Sequence, residues 1–401
     1  MMIQWMEALR HSLRLVAIGI ALSSLNATAA EEQPYSKWFR YGGGIDSAWN
    51  LTADPANPLR ISIGRNATDL RGPIKRVLVL YPRPSSAYDI AITKILHIFE
   101  AKEVNAEFTV VNFQMEHAKG AAAIRYAEQH RFDLIFAMGS ESTAWLYDNY
   151  KGGPIPVVSV CSKDPVQLGQ MHDYTSGSRS NFAFTSLNVP VDVQMAYVRE
   201  LNRDLKNLAV LVDSKNVSAV QTQAEPIATY ARQRGIQVIW GAVQNPAKAR
   251  EELTQIVRDA VATMRKSDPD LSKSLFWVTG STSVFLEIRT INENSDRVPV
   301  ISVVPEIVRA GADTAVMAIG ISFESNAHLA AIYGFDILQG RVKAGDLKVG
   351  VVSPPDIAIS FLKAREIGLR VPFSFFESAS FVYDYDGHPV RTIASKMSAD
   401  N

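Results

Sequence analysis

The sequence predicts an α/β protein made of two doubly wound, Rossmann-like units, and three observations carry that prediction. Short apolar runs alternate with amphipathic helical stretches from Ile74 onward. The alternation occurs twice, over 76–161 and again over 191–303, and buried strands separated by helices imply mostly parallel sheets covered on both faces. A chain of 401 residues with 47% hydrophobic content has enough apolar surface for two or three compact units.

In the first unit, residues 76–81 form an apolar strand, 82–89 a loop, and Ile92, Ile95, Leu96 and Phe99 fall on one face of the following helix. A strand over 108–113 leads to an alanine-rich helix over 119–130. A strand over 132–138, a helix starting near Ser142 and a strand over 155–161 complete the unit. The second unit opens with a helix over 191–205 and a strand over 208–212. A helix running to Arg232, a strand over 237–240 and a helix over 247–266 follow. That last helix aligns Leu253, Ile256, Val257, Ala260 and Met264 on one side. Strands over 275–278 and 298–303 close it. The two units share an order of elements but no residue-level repeat.

The N-terminus reads as a targeting segment. Arg10, His11 and Arg14 precede the apolar stretch 15–22, and small residues around Ala29 and Ala30 suit signal-peptide cleavage. The stretch falls well short of the roughly 20 residues a membrane span needs. The expected product is therefore a cleaved, periplasmic protein with no membrane insertion. Residues 31–72 carry Tyr35, Trp38, Phe39, Tyr41 and Trp49 without a helical or strand period, and read as an arm whose aromatics pack on the main body.

Charge and composition exclude whole classes. The 41 basic and 41 acidic residues balance and are well mixed, which disfavours a nucleic-acid partner. The single cysteine, Cys161, permits no intrachain disulfide or multi-cysteine metal site. Its place in an apolar run makes it a buried thiol. The histidines lack metal-ligand spacing, and no strand is followed by a nucleotide-binding glycine loop, so neither metal nor cofactor is expected. Gly139-Ser140-Glu141-Ser142 and Gly280-Ser281-Thr282-Ser283 do not form a nucleophile elbow. Catalysis is left only to residues that meet through the fold.

In parallel sheets the binding crevice lies beyond the carboxyl ends of the strands. That places Ser85, Ser86 and Tyr88 after the first strand, and Gly139, Ser140, Glu141 and Ser142 after the third. Ser162 and Asp164 follow the fourth. The second unit supplies Asn216, Ser218, Thr279, Ser281, Thr282 and Glu306. Hydroxyls and helix N-termini at these sites would receive a carboxylate, and Glu141, Asp164 and Glu306 an ammonium. An amino acid or related zwitterion fits that pairing, with Tyr88 as a flat wall. Ser85, Ser142, Ser218 and Ser283 have a competing reading as helix caps. Lys163 lies in the same loop, with a competing reading as the neutraliser of Asp164 or Glu141.

Three stretches carry a family likeness. Lys163-Asp164-Pro165-Val166, the run Pro299-Val300-Ile301 leading to Val308-Arg309-Ala310-Gly311-Ala312, and the tail from Phe361 to Pro372 resemble the substrate-binding proteins of ABC transporters, in the family that includes tryptophan and tyrosine binders. The resemblance implies a type I periplasmic-binding fold, two lobes joined by a hinge of three chain crossings. Lobe 1 would hold 73–185 and 318–348; lobe 2 would hold 186–317 and 349–401. It also implies a small-molecule ligand and an ABC permease as partners. A membrane sensor kinase is the alternative partner, and a hydrolase the more distant alternative.

Overall fold

The structure is a computed structural model that describes residues 35–67 and 70–392. The segment read as a signal peptide, with its cleavage point at Ala29 or Ala30, lies outside the described residues.

The first sheet takes the order β1-β2-β4-β3-β5-β6-β7. Its strands are β1 (Trp49–Ala53), β2 (Arg60–Arg65), β3 (Lys75–Tyr81), β4 (Ala106–Asn112), β5 (Leu134–Met138), β6 (Val157–Val160) and β7 (Phe182–Ala183). From β4 to β7 every pairing is parallel, whereas β1 and β2 form an antiparallel extension beside β4. The aromatic arm thus prolongs the sheet. Trp38 and Phe39 pack against Tyr81, and Trp49 meets Phe108 edge-on. Alternation explains the geometry: Ile61 and Ile63 of β2 face the core while their neighbours do not.

Helices α1 (Ser86–Ala101), α2 (His117–Gln129) and α3 (Gly139–Tyr150) cover this sheet. The α1 helix buries Ala91, Ile92, Ile95, Leu96 and Phe99, a spacing of three and four that makes one apolar stripe. Each large side chain so buried contributes roughly 1.5–3 kcal/mol.

Strand β8 (Thr185–Ser186) leads to α4 (Val191–Leu201), four residues shorter than the helical pattern suggests. The second sheet holds β9 (Asn207–Asp213), β10 (Gln237–Val243), β11 (Ser274–Val278), β12 (Val300–Ser302) and β13 (Met317–Gly320), all parallel, in the order β10-β9-β11-β12-β13. Helices α5 (Glu225–Arg232), α6 (Ala249–Met264) and α7 (Thr282–Phe285) connect them. A single π turn, Val220–Ala224, leads into α5.

The chain then returns. Helix α8 (Phe323–Leu338), capped by the Ser322 hydroxyl, lies against α1, and Gly334 lets it approach Phe136 and Leu134 of β5. Strand β14 (Gly350–Val351) pairs in parallel with β8, after which β15 (Asp356–Ser360) re-enters the second sheet antiparallel to β13. Strands β16 (Phe381–Tyr383) and β17 (Pro389–Arg391) complete it. Three crossings therefore join the two sheets. Pairing with β12 and β15 keeps Met317–Gly320 in the second sheet. Asn326 of α8 pins the first crossing: its Oδ1 accepts from the Cys161 N–H at 2.7 Å, and its Nδ2 donates to the Ser186 carbonyl at 3.1 Å.

Candidate functional site

The carboxyl ends of the parallel strands in both sheets open onto one narrow cleft of about 40 Å³ that is continuous with solvent. The first sheet contributes Arg83, Ser85, Ala87 and Tyr88 after β3, Ser140 and Glu141 after β5, and Cys161 and Lys163 after β6. The second contributes Asn216 and Ser218 after β9, and Gly280, Thr282 and Phe285 after β11. Leu187 and Phe323 come from two of the crossings. The wall is apolar and aromatic on one side, with Phe285 and Phe323 at 6.4 Å between ring centroids.

Each polar group has a local cause. Ser85 caps α1 by accepting from the Ala87 N–H. Tyr88 stands edge-on to Tyr81, and its phenol reaches Gly139, whose φ of +76° and missing Cβ leave it room. Burial, and then the Glu141 charge, push the Tyr88 phenol up, so it stays a neutral donor. Ser140 accepts from the Lys163 backbone N–H at 2.9 Å, joining the loops after β5 and β6. Glu141 pairs with Arg83 at 2.7 Å. Asn216 caps the turn after β9 by accepting from the Ala219 N–H and the Ser218 hydroxyl.

Lys163 differs from these. Only 8% of it is exposed, and among the described residues no hydrogen bond or ion pair holds its ammonium. Burial lowers its pKa to about 8; Glu141 works against that shift and Arg83 reinforces it. Beside it, burial raises the Cys161 thiol, so this cysteine is a neutral wall atom rather than a thiolate.

Of the residues expected from sequence, Ser85, Tyr88, Ser140, Glu141, Asn216, Ser218 and Thr282 line the cleft. The others do not. Ser86 faces a separate depression beside Arg40 and Thr93. Gly139 serves the Tyr88 ring. Ser142 donates to the Leu80 carbonyl, and Thr279 to the Leu211 carbonyl. Ser281 is sealed, accepting from the Asp213 N–H. Ser162 is also buried, its hydroxyl without a partner. Asp164 spends its carboxylate on the N–H groups of Val166 and Gln167 and on the Tyr174 hydroxyl. Glu306 sits at the second crossing, where one oxygen accepts from the Phe323 N–H at 2.5 Å. Its other oxygen is buried without a partner. Of the three expected ammonium acceptors, Asp164 is thus committed to its own loop, Glu141 is paired with Arg83, and Glu306 lies outside the cleft lining.

With this geometry in view, a family model for ABC transporter substrate binding proteins matches residues 91–382, most of the chain. The chain belongs to that family. Among solved structures, this substrate-binding protein is similar to a conserved domain protein from Vibrio cholerae: 18% identity, TM-score 0.61, covering 77% of this chain and 99% of that one. An ABC domain from Streptococcus pneumonia in complex with L-Trp gives 18% and 0.61, covering 77% of this chain and 100% of its own. A ligand-free, open substrate-binding protein with adhesive properties from Clostridium difficile gives 18% and 0.58, covering 79% and 99%. No curated protein matches the sequence. At such identities the likeness shows the fold, a type I periplasmic-binding architecture of two lobes joined by a hinge.

Sequence reasoning missed the apolar wall of the site and Arg83. Nothing in the local sequence pattern of Phe285, Leu187 and Phe323 marks them as lining a cleft. Gln223 accepts from the Gly280 N–H at 2.8 Å, and it sits in the π turn, a feature without a sequence period. Among the described residues Asp384, Asp386 and His388 are close enough to share a cation, but they lie in the β16–β17 turn, outside the cleft.

Proposed function

We propose that this substrate-binding protein is exported to the periplasm, traps a small carboxylate-bearing molecule between its lobes, and delivers it to an ABC permease. Lobe 1 is taken as 73–185 with the returning segment 321–348, preceded by the arm, and lobe 2 as 186–320 with the C-terminal remainder. One observation carries the ligand reading. Loops from both sheets converge on a buried lysine without a protein partner, and a carboxylate is the small-molecule group that best satisfies a desolvated ammonium. Asn216 and Ser140 offer further polar contacts, and Tyr88, Phe285 and Phe323 suit an apolar or aromatic body. The tryptophan bound to the pneumococcal neighbour belongs to that chemical range.

Closure follows from the division of the site. Each lobe carries part of the polar set, so only the closed state completes it, and ligand shifts the population toward that state. The test is small-angle scattering with calorimetry on ligand-stripped protein across amino acids, aromatic and aliphatic acids, nucleosides and sugars. Saturable binding of a carboxylate with a smaller radius of gyration is expected. Binding of neutral sugars alone, or an unchanged radius at saturation, refutes the reading.

A further inference from the structure

We infer that Lys163 selects the charge of the ligand, and that the preferred ligand is an organic carboxylate with no free ammonium group. This rests on the carboxylate reading above and sharpens it from a class that includes amino acids to one that excludes them.

The lysines elsewhere set the contrast. Lys94, Lys119 and Lys363 pair with Glu324, Glu116 and Glu366 at 2.7–2.9 Å. Lys163, almost fully buried, has no such partner among the described residues. A buried, unpaired ammonium is costly, and that cost disappears when an anion arrives.

The charge inventory of the cleft points the same way. Its charged lining residues are Arg83, Lys163 and Glu141, and the last is bound to Arg83 at 2.7 Å. One positive charge is left over. The neighbouring carboxylates are spent on the protein itself. Asp164 is closed off by two N–H groups and a phenol, and Asp213 receives the Lys215 N–H and the Ser283 hydroxyl. Asp356 receives the Ser322 N–H, and Glu306 receives that of Phe323, its other oxygen being sealed without a partner outside the cleft lining. A zwitterion would bring its ammonium into a cleft whose charged lining has a surplus cation and whose one carboxylate already pairs with Arg83, which is repulsive at low dielectric. An acid lacking the amine meets only the favourable half.

The experiment uses matched probes on the ligand-stripped, full-length mature protein. The first set is 3-phenylpropanoate, phenylalanine and 3-phenylpropanamide, and the second is 4-methylpentanoate, leucine and 4-methylpentanamide. In wild type the acid of the preferred set should bind at least about tenfold tighter than the amino acid or the amide. K163M should weaken the acid roughly 30-fold or more while leaving the amide within about threefold, and K163R should keep the acid-over-amide preference. If K163M does not fold, wild-type affinity for the acid must fall above pH 8 while that for the amide stays level. An amino acid that binds tighter than its acid overturns the inference, as does a K163M variant with unchanged acid affinity. Both leave the carboxylate reading standing. Failure of every carboxylate to bind wild type defeats both.

Discussion

Replacing Glu306 with glutamine should remove a pH dependence of stability that the wild type carries across the neutral range. The carboxyl is held at the second crossing, with Oε1 on the Phe323 N–H and Oε2 sealed from solvent without a partner. Burial, helped by the nearby Asp356 and Glu324 charges, raises its pKa from 4.5 to about 8, against the pull of two backbone N–H groups. The folded state therefore holds a proton that the unfolded state releases. Stability from this group is fully present below the unfolded pKa of 4.5 and is lost as pH rises through 8. At ~1.4 kcal/mol per pH unit the upper bound is ~5 kcal/mol. The residue keeps part of its surface exposed, so we expect about 1–3 kcal/mol. Urea denaturation of wild type and E306Q at pH 5, 7 and 9 measures it, the difference cancelling Asp89, Lys163 and His328, which also shift. The variant should match the wild type at pH 5 and exceed it at pH 9. Parallel pH profiles would refute the argument.

Further expectations follow from single contacts. Gly139→Ala sets a Cβ against the Tyr88 phenol at a left-handed position, so a loss of ~2–3 kcal/mol in thermal or urea melts is expected, partly relieved by adding Tyr88→Ala. Ser142→Ala removes a buried hydroxyl that donates to Leu80, which should cost ~1 kcal/mol without changing ligand affinity; Ser140→Ala should change affinity through the Lys163 backbone it supports. Asp164→Ala frees the 165–174 loop and should destabilise by about 1–3 kcal/mol while hardly moving ligand affinity, the reverse of what a ligand contact predicts. Carboxylate affinity of the wild type should decline as pH rises past 8, because Lys163, facing Glu141, Arg83, Cys161 and the Tyr88 phenol, then loses its proton.

What the sequence discloses depends on whether a feature is periodic. Most parallel strands of both sheets read as apolar runs because they are buried on both faces, the edge strand β10 excepted, and their carboxyl ends mark the loops that meet in the cleft. The β1–β2 extension escapes that reading, since its strands bury only one face and hold few apolar residues. Side-chain allegiance is less legible still. Asp164 and Lys163 are adjacent and both lie after β6, yet the first turns back to its own loop and the second points into the cleft. Expecting Lys163 to neutralise a neighbouring carboxylate assumes that adjacent opposite charges find each other. Here the carboxylate's oxygens are filled first by the N–H groups of residues 166 and 167, two and three positions on, which costs little chain entropy. The lysine, longer and without a local acceptor, is the group left to meet what enters from outside. Short polar side chains thus serve the backbone, and that physical sorting is what separates Lys163, left without a hydrogen bond or ion pair at the cleft, from most of the serines and acids around it.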